Sequence, residues 1–182
     1  MNEGLIPRRY ARALYEVAEQ RSRAERMYTL MRTLAAEAQR EPQLARTLAN
    51  PYIADDDKRR LLETAAGAGA DDSTFADWLR VLARNRRCGM APDIARAYVD
   101  YYRDRRSIYP VAVTSASPLT PDESKRMQAL VQRHIGPDAS MEYTEKVDPA
   151  LIGGFAIDIA NERLDASALN RLEQMRLNLS KA

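Results

Sequence analysis

Hydrophobic periodicity changes once along this chain, at Ser107. Before it, apolar residues recur every three or four positions, the spacing of one helix face; after it, stretches alternate residue by residue, the spacing of a half-buried strand. A chain patterned this way folds as α+β with its helices first. The change sets a domain boundary, with a six-helix bundle over residues 1–106 and a small β-α-β-β-α domain over 107–182. The 182 residues allow two such units, and an apolar fraction of 45% gives them a core.

Within the helical part, Ile6, Tyr10, Ala13 and Val17 make one stripe of the first helix, with Ala11, Leu14 and Ala18 beside it. Two adjacent apolar stripes mean that this helix contacts material on two sides. A second helix runs from about Ser22 and stops before Pro42, because the residue preceding proline is steered out of the helical region. A short helix follows Pro42. Asp55-Asp56-Asp57 opens the next, and the break at Gly67-Ala68-Gly69 precedes a helix carrying Phe75, Trp78, Leu79, Val81 and Leu82. A sixth, with Ile94, Tyr98, Tyr101 and Tyr102, reaches the boundary.

Beyond it, Ile108 to Thr114 is an expected strand, and Thr120 caps a helix that ends by Gly136-Pro137. Ser140 to Val147 is a second strand. Phe155, Ile157 and Ile159 alternate with Ala156 and Asp158 in a third, after which Asn161-Glu162 turns the chain so that Arg163-Leu164 can return briefly. Asp165 and Ser167 then cap a helix bearing Leu169, Leu172, Met175 and Leu179. Gly153-Gly154 runs into a strand rather than a helix N-terminus, which excludes a phosphate-cradling loop and leaves a bulge or close backbone approach.

Charge argues against several functions. Residues 1–106 hold 20 Lys and Arg against 16 Asp and Glu, and residues 107–182 hold 8 against 10, an asymmetry too mild for a dedicated nucleic-acid protein. The run Arg84-Asn85-Arg86-Arg87 is the one feature favouring the alternative, a helical nucleic-acid-binding protein; a solvated helix end is the simpler reading. Successive helical residues diverge by about 100°, so Asp55–Asp57 complement a helix dipole rather than converge on a metal. Cys88, the single cysteine, precludes an intrachain disulfide and points to a reducing compartment; beside the arginines its thiol is a candidate for a lowered pKa. The single histidine, His134, belongs to a helix end. No set of acid, base and nucleophile converges, so no catalytic residue, cofactor or metal is expected. No basic-then-apolar leader opens the chain and no apolar run spans a bilayer.

Several blocks, taken in order, resemble the ATP synthase delta subunit family, which includes the mitochondrial oligomycin-sensitivity-conferring proteins. They are Arg9-Tyr10-Ala11-Arg12-Ala13-Leu14-Tyr15, Asn50-Pro51 before Lys58, Leu79-Arg80-Val81-Leu82 with Asn85-Arg86-Arg87, Ser115-Ala116-Ser117-Pro118-Leu119, Asp148-Pro149 with Leu151-Ile152-Gly153-Gly154, and Asp165 with Ser167. The resemblance implies a non-catalytic stator subunit whose helical domain grips N-terminal helices of the alpha subunits and whose C-terminal domain meets the b subunits of the peripheral stalk. The family grips through its first and fifth helices, which maps onto Tyr10, Ala13 and Val81. The implied protein is monomeric within its complex, binds no nucleic acid, and lies peripherally on the cytoplasmic face of a bacterial plasma membrane. Three positions depart from the family pattern: Asp158 stands where a basic residue is common, Ala160-Asn161 where Gly-Asp is, and Ala166 where Gly is.

Overall fold

The computed structural model describes residues 5–160 and 162–179. Met1–Glu3, Asn161 of the expected turn and the side chain of Leu179 lie outside the described residues. Contacts divide the chain into Met1–Asp104 and Arg105–Ala182.

The first unit holds α1 (Leu5–Gln20), α2 (Ala24–Arg40), α3 (Pro42–Ala49), α4 (Asp55–Ala66), α5 (Ser73–Arg84) and α6 (Ala91–Arg106, whose end passes the division). A 3-10 turn at Cys88–Met90 leads into α6. Local chemistry explains the ends. Glu41-Pro42 separates α2 from α3, with Pro42 in a first turn where its missing N–H costs nothing. Gly67 ends α4 at φ +67°, and the N–H groups of Gly67 and Ala68 donate to the Thr64 and Glu63 carbonyls, a left-handed cap suited to glycine.

Each helix buries one stripe. Met27, Leu30, Met31 and Leu34 of α2, Leu62 of α4, Phe75, Leu79 and Leu82 of α5, and Ile94 and Tyr98 of α6 are all buried, and α4 packs on both α2 and α5. Tyrosines close the α6 side. The Tyr28 and Tyr102 rings stack with centroids 4.4 Å apart, and Tyr15 meets Tyr101 edge-on at 5.2 Å. The buried Tyr98 hydroxyl donates to the Ala24 carbonyl at 3.3 Å, which removes the cost of leaving it unpaired.

In the second unit, β1 (Ile108–Ser115), α7 (Pro121–Ile135) and β2 (Ser140–Val147) form a parallel β-α-β crossover. Then β3 (Phe155–Ile159) pairs antiparallel with β1, and β4 (Glu162–Asp165) with β3, giving the sheet order β2-β1-β3-β4 before α8 (Ala168–Leu179). The order is therefore β-α-β-β-β-α, one strand more than the β-α-β-β-α expected. Glu162 stands opposite Ile159 and Leu164 opposite Ile157, so the short return is a registered edge strand. Val111, Val113 and Ile157 bury against Val131 of α7. Thr120 caps α7 reciprocally: Glu123 N–H donates to the Thr120 hydroxyl, and Thr120 N–H to the Glu123 carboxylate, which holds that carboxyl below its usual range.

Gly154 sits at φ +76°, and a Cβ there would stand 2.4 Å from the Ala166 carbonyl oxygen. This is the close backbone approach expected of the glycine pair, and it lets Ala168 N–H donate to the Gly153 carbonyl, anchoring α8.

Candidate functional site

On α1 the buried positions are Pro7, Ala11, Leu14 and Ala18, successive turns of one face. The neighbouring stripe is open: Tyr10 is half-buried, Ala13 exposed and Val17 40% exposed. On α5, Phe75, Trp78, Leu79 and Leu82 go inward and Val81 stays 49% exposed. Two β-branched side chains thus remain largely in water, as does Leu5 at the start of α1, 59% exposed.

Two arginine contacts relate these helices. Near the end of α1, Arg21 Nη1 donates to Asp77 Oδ2 of α5 at 2.8 Å. At the other end, Arg87, just past α5, donates from Nη1 to the Tyr10 hydroxyl at 2.8 Å and stands 5.4 Å from the Tyr10 ring centroid. A residue just past α1 with one in the first half of α5, and an early residue of α1 with one past the end of α5, make the pair antiparallel. Ala13 and Val17 lie between Tyr10 and Arg21 on one helical row; Val81 lies one turn beyond Asp77 on another. Along the two helices, exposed Ala13, Val17 and Val81 therefore fall between the two arginine contacts. Asp77 also accepts from Arg80, and the arginines hold its carboxyl below the usual range, Arg21 first.

The other flank of α1 differs. With α6 it borders a depression of about 840 Å³ lined by Arg8, Arg9, Arg12 and Arg96 facing Asp93, Asp100 and Asp104. Mixed charge of that kind suits a polar partner surface. The strip beside α5 suits an apolar helix face.

The remaining candidates fall out as follows. Asp55, Asp56 and Asp57 occupy the first turn of α4, and Asp56 accepts from Arg59 at 2.9 Å. Arg84 and Arg86 are exposed, whereas Arg87 is turned onto Tyr10, so the arginine run does not present a continuous basic face. Cys88 is 2% exposed, and burial pushes its thiol pKa up, contrary to the activation its arginine neighbours imply; Asp55 adds to this, and Lys58 and Arg59 oppose it. His134 stands in the last turn of α7 with its ring 3.0 Å from a Glu162 carboxylate oxygen. Sequence reasoning missed both clamps, because Arg87 and Tyr10 are 77 positions apart and Arg21 and Asp77 are 56.

Exposed apolar surface also gathers in the second unit. Ile152 is 66% exposed, Leu164 54%, and Leu172 and Met175 of α8 55% and 61%. Leu172 and Met175 are three residues apart on one helix face. Among the described residues, no helix is long and apolar enough to cross a membrane.

Comparison with known proteins points one way. The sequence profile described as "ATP synthase delta (OSCP) subunit" matches residues 6–179. The ATP synthase subunit delta of Parabacteroides distasonis is 31% identical over 98% of this chain and 98% of its own length. That of Bacteroides thetaiotaomicron is 32% identical over 97% of this chain and 94% of its own. In fold, a chain of the Toxoplasma gondii mitochondrial ATP synthase hexamer superposes with a TM-score of 0.68 at 20% identity, covering 95% of this chain and 96% of that one.

Proposed function

The chain belongs to the ATP synthase delta (OSCP) subunit family, and on that premise we propose that it is a stator subunit without turnover of its own. Its helical unit grips an amphipathic N-terminal helix of an alpha subunit, and its α+β unit meets the C-terminal region of the b subunits. It lies on the cytoplasmic face of a bacterial plasma membrane through that complex, one copy per complex.

The observation that carries the reading is a set of exposed apolar residues, Val17 at 40%, Val81 at 49% and small Ala13, on two helices that two arginine contacts link. A helix laid there buries both valines and approaches α1 closely over Ala13, the helix-in-groove mode of recognition. Tyr10, gripped by Arg87, offers a fixed aromatic edge at one end. The stalk contact is supported by the exposed Leu172 and Met175 of α8.

The test is calorimetry of the full chain with a synthetic peptide of the alpha N-terminal helix. Ala13→Asp sets a charge where the peptide must displace its water, and affinity should fall about a hundredfold, near 2.7 kcal/mol, while the melting temperature stays put. Unchanged affinity in a folded Ala13→Asp variant would remove the peptide from this strip.

A further inference from the structure

The sheet of the α+β unit ends in two unlike edges. β4 is four residues long, and its Arg163 reaches Asp158 and Asp165. β2 is eight residues long and pairs with β1 residue for residue, without a bulge or a proline. Among the described residues no strand lies on its other side. Short strands, bulges and prolines commonly close an edge to further pairing, and β2 has none of them.

The backbone groups on that open side can be named. Ser140 N–H donates to the Ser107 carbonyl and Asp148 N–H to the Ser115 carbonyl, and a parallel ladder alternates, so Ser140, Glu142, Thr144 and Lys146 turn toward β1. The N–H and C=O groups of Met141, Tyr143, Glu145 and Val147 therefore turn outward. A second copy related by a two-fold axis normal to the sheet lays its own β2 antiparallel against this edge, and outward groups must then face outward groups. One register engages all four on each copy, with Met141 facing the second copy's Val147 and Tyr143 its Glu145. That register also sets Glu142 opposite Lys146, twice, and Thr144 opposite Thr144, at the positions where side chains stand closest. It covers Val147, which is 51% exposed. The next allowed register on either side sets Glu145 against Glu145 or Tyr143 against Tyr143 and leaves outward groups unpaired.

We propose that β2 is a self-pairing edge, through which two free copies of this chain join their four-stranded sheets into one continuous sheet. The outward backbone groups supply the attraction, and the two Glu142–Lys146 pairs choose the register. Glu142 already makes a contact within its own chain, and its two carboxylate oxygens leave lone pairs for the lysine. The inference concerns the chain outside any complex and stands apart from the stator reading, which places one copy in each complex.

The experiment is sedimentation velocity on the full chain, from low micromolar to millimolar concentration in low salt. The parent should dimerise with a dissociation constant of about 100 μM or tighter, as befits a small interface. Lys146→Glu sets glutamate against glutamate at both symmetric positions, and Glu142→Lys sets lysine against lysine; each variant alone should dimerise about tenfold more weakly. An equimolar mixture of the two has opposite charges at both positions and should regain the parent's dimer. Should either charge variant fail to fold, Val147→Pro, which removes an outward N–H and leaves the β1 ladder intact, should by itself weaken the dimer about tenfold. A parent that stays monomeric throughout overturns the inference, and so does a mixture no tighter than its components. Undiminished dimers in every variant that folds would put the contact on another face and overturn it as well.

Discussion

The two units bury their apolar side chains on very different scales. Among the described residues, the unit ending at Asp104 buries 25 apolar side chains and the one beginning at Arg105 buries 6, a ratio far larger than their difference in length. Helices α2, α4, α5 and α6 each turn a stripe toward one shared core, whereas the sheet packs a few residues against α7 and leaves Leu164, Leu172 and Met175 in water. The helical unit is therefore sensitive where its core is touched and tolerant along its open strip. In the α+β unit, with so few buried contacts, a single backbone position can matter as much as a core side chain does in its neighbour.

The sharpest way to break this comparison is Leu14→Asp. The side chain is 6% exposed on the inward stripe of α1, and an unpaired carboxylate there should cost about 3–5 kcal/mol. Circular dichroism should lose helix signal at a much lower temperature, while amide resonances of β1 and β3 keep their dispersion. If those sheet resonances collapse together with the helices, the units are a single cooperative body and the contrast between them fails.

Next in size is Gly154→Ala. It forces alanine into φ +76° and its Cβ to within 2.4 Å of the Ala166 carbonyl oxygen, a backbone clash worth about 2–3 kcal/mol. Hydrogen exchange should accelerate across β3, β4 and the start of α8 and leave α2 and α5 protected. Equal protection in both proteins would mean that the glycine is incidental.

The helical unit has a pH-dependent element of its own. Asp72 accepts two hydrogen bonds from Arg26, at 2.9 and 2.8 Å, and one from Gly69 N–H; Arg26 is the main reason its carboxyl lies below the ordinary range. A depressed native pKa stabilises the fold above the unfolded-state value of ~3.9, and the contribution is lost as pH falls through the lower native value. Asp72→Asn should therefore cost about 1 kcal/mol at pH 7 and nothing once the pH is below both values. A gap in melting temperature that stays constant into acid would exclude the ion pair as its source.

The smallest effect runs the other way. Ala160 holds φ +49° just after β3, a conformation that suits glycine. Ala160→Gly should stabilise the α+β unit by about 0.5–1 kcal/mol, read as slower exchange in β3 and β4. Faster exchange would show that chain entropy outweighs the relieved strain.

Much of this was legible in the sequence, and the parts that were not share a cause. Helical spacing separated Leu14 and Ala18 from Tyr10 and Ala13 because both faces fall within one continuous period. Alternation marked β3, and Gly153-Gly154 before a strand marked the close approach. What depends on partners distant in sequence was invisible. Arg87 read as part of a solvated basic run until the fold brought Tyr10 to it, and Cys88 stood as a candidate for a lowered pKa until the fold buried it. Lys58 follows three aspartates, a pattern that belongs to an exposed first turn, so nothing local marks its burial. The return at Arg163-Leu164 read as a short strand paired with β3, but four residues are too few for alternation to place it in the strand order.

The paired clamps on α1 and α5 also have a mechanical meaning. Two antiparallel rods pinned at one end can hinge open; pinned near both ends, as by Arg21–Asp77 and Arg87–Tyr10, they can separate only if a pin breaks. Each pin is modest alone, being solvent-screened, but they act in parallel and fix the width of the strip between them. Under the proposed reading, a helix seated there would meet a slot of set gauge, and a sideways pull on it would be shared between α1 and α5 rather than prying them apart.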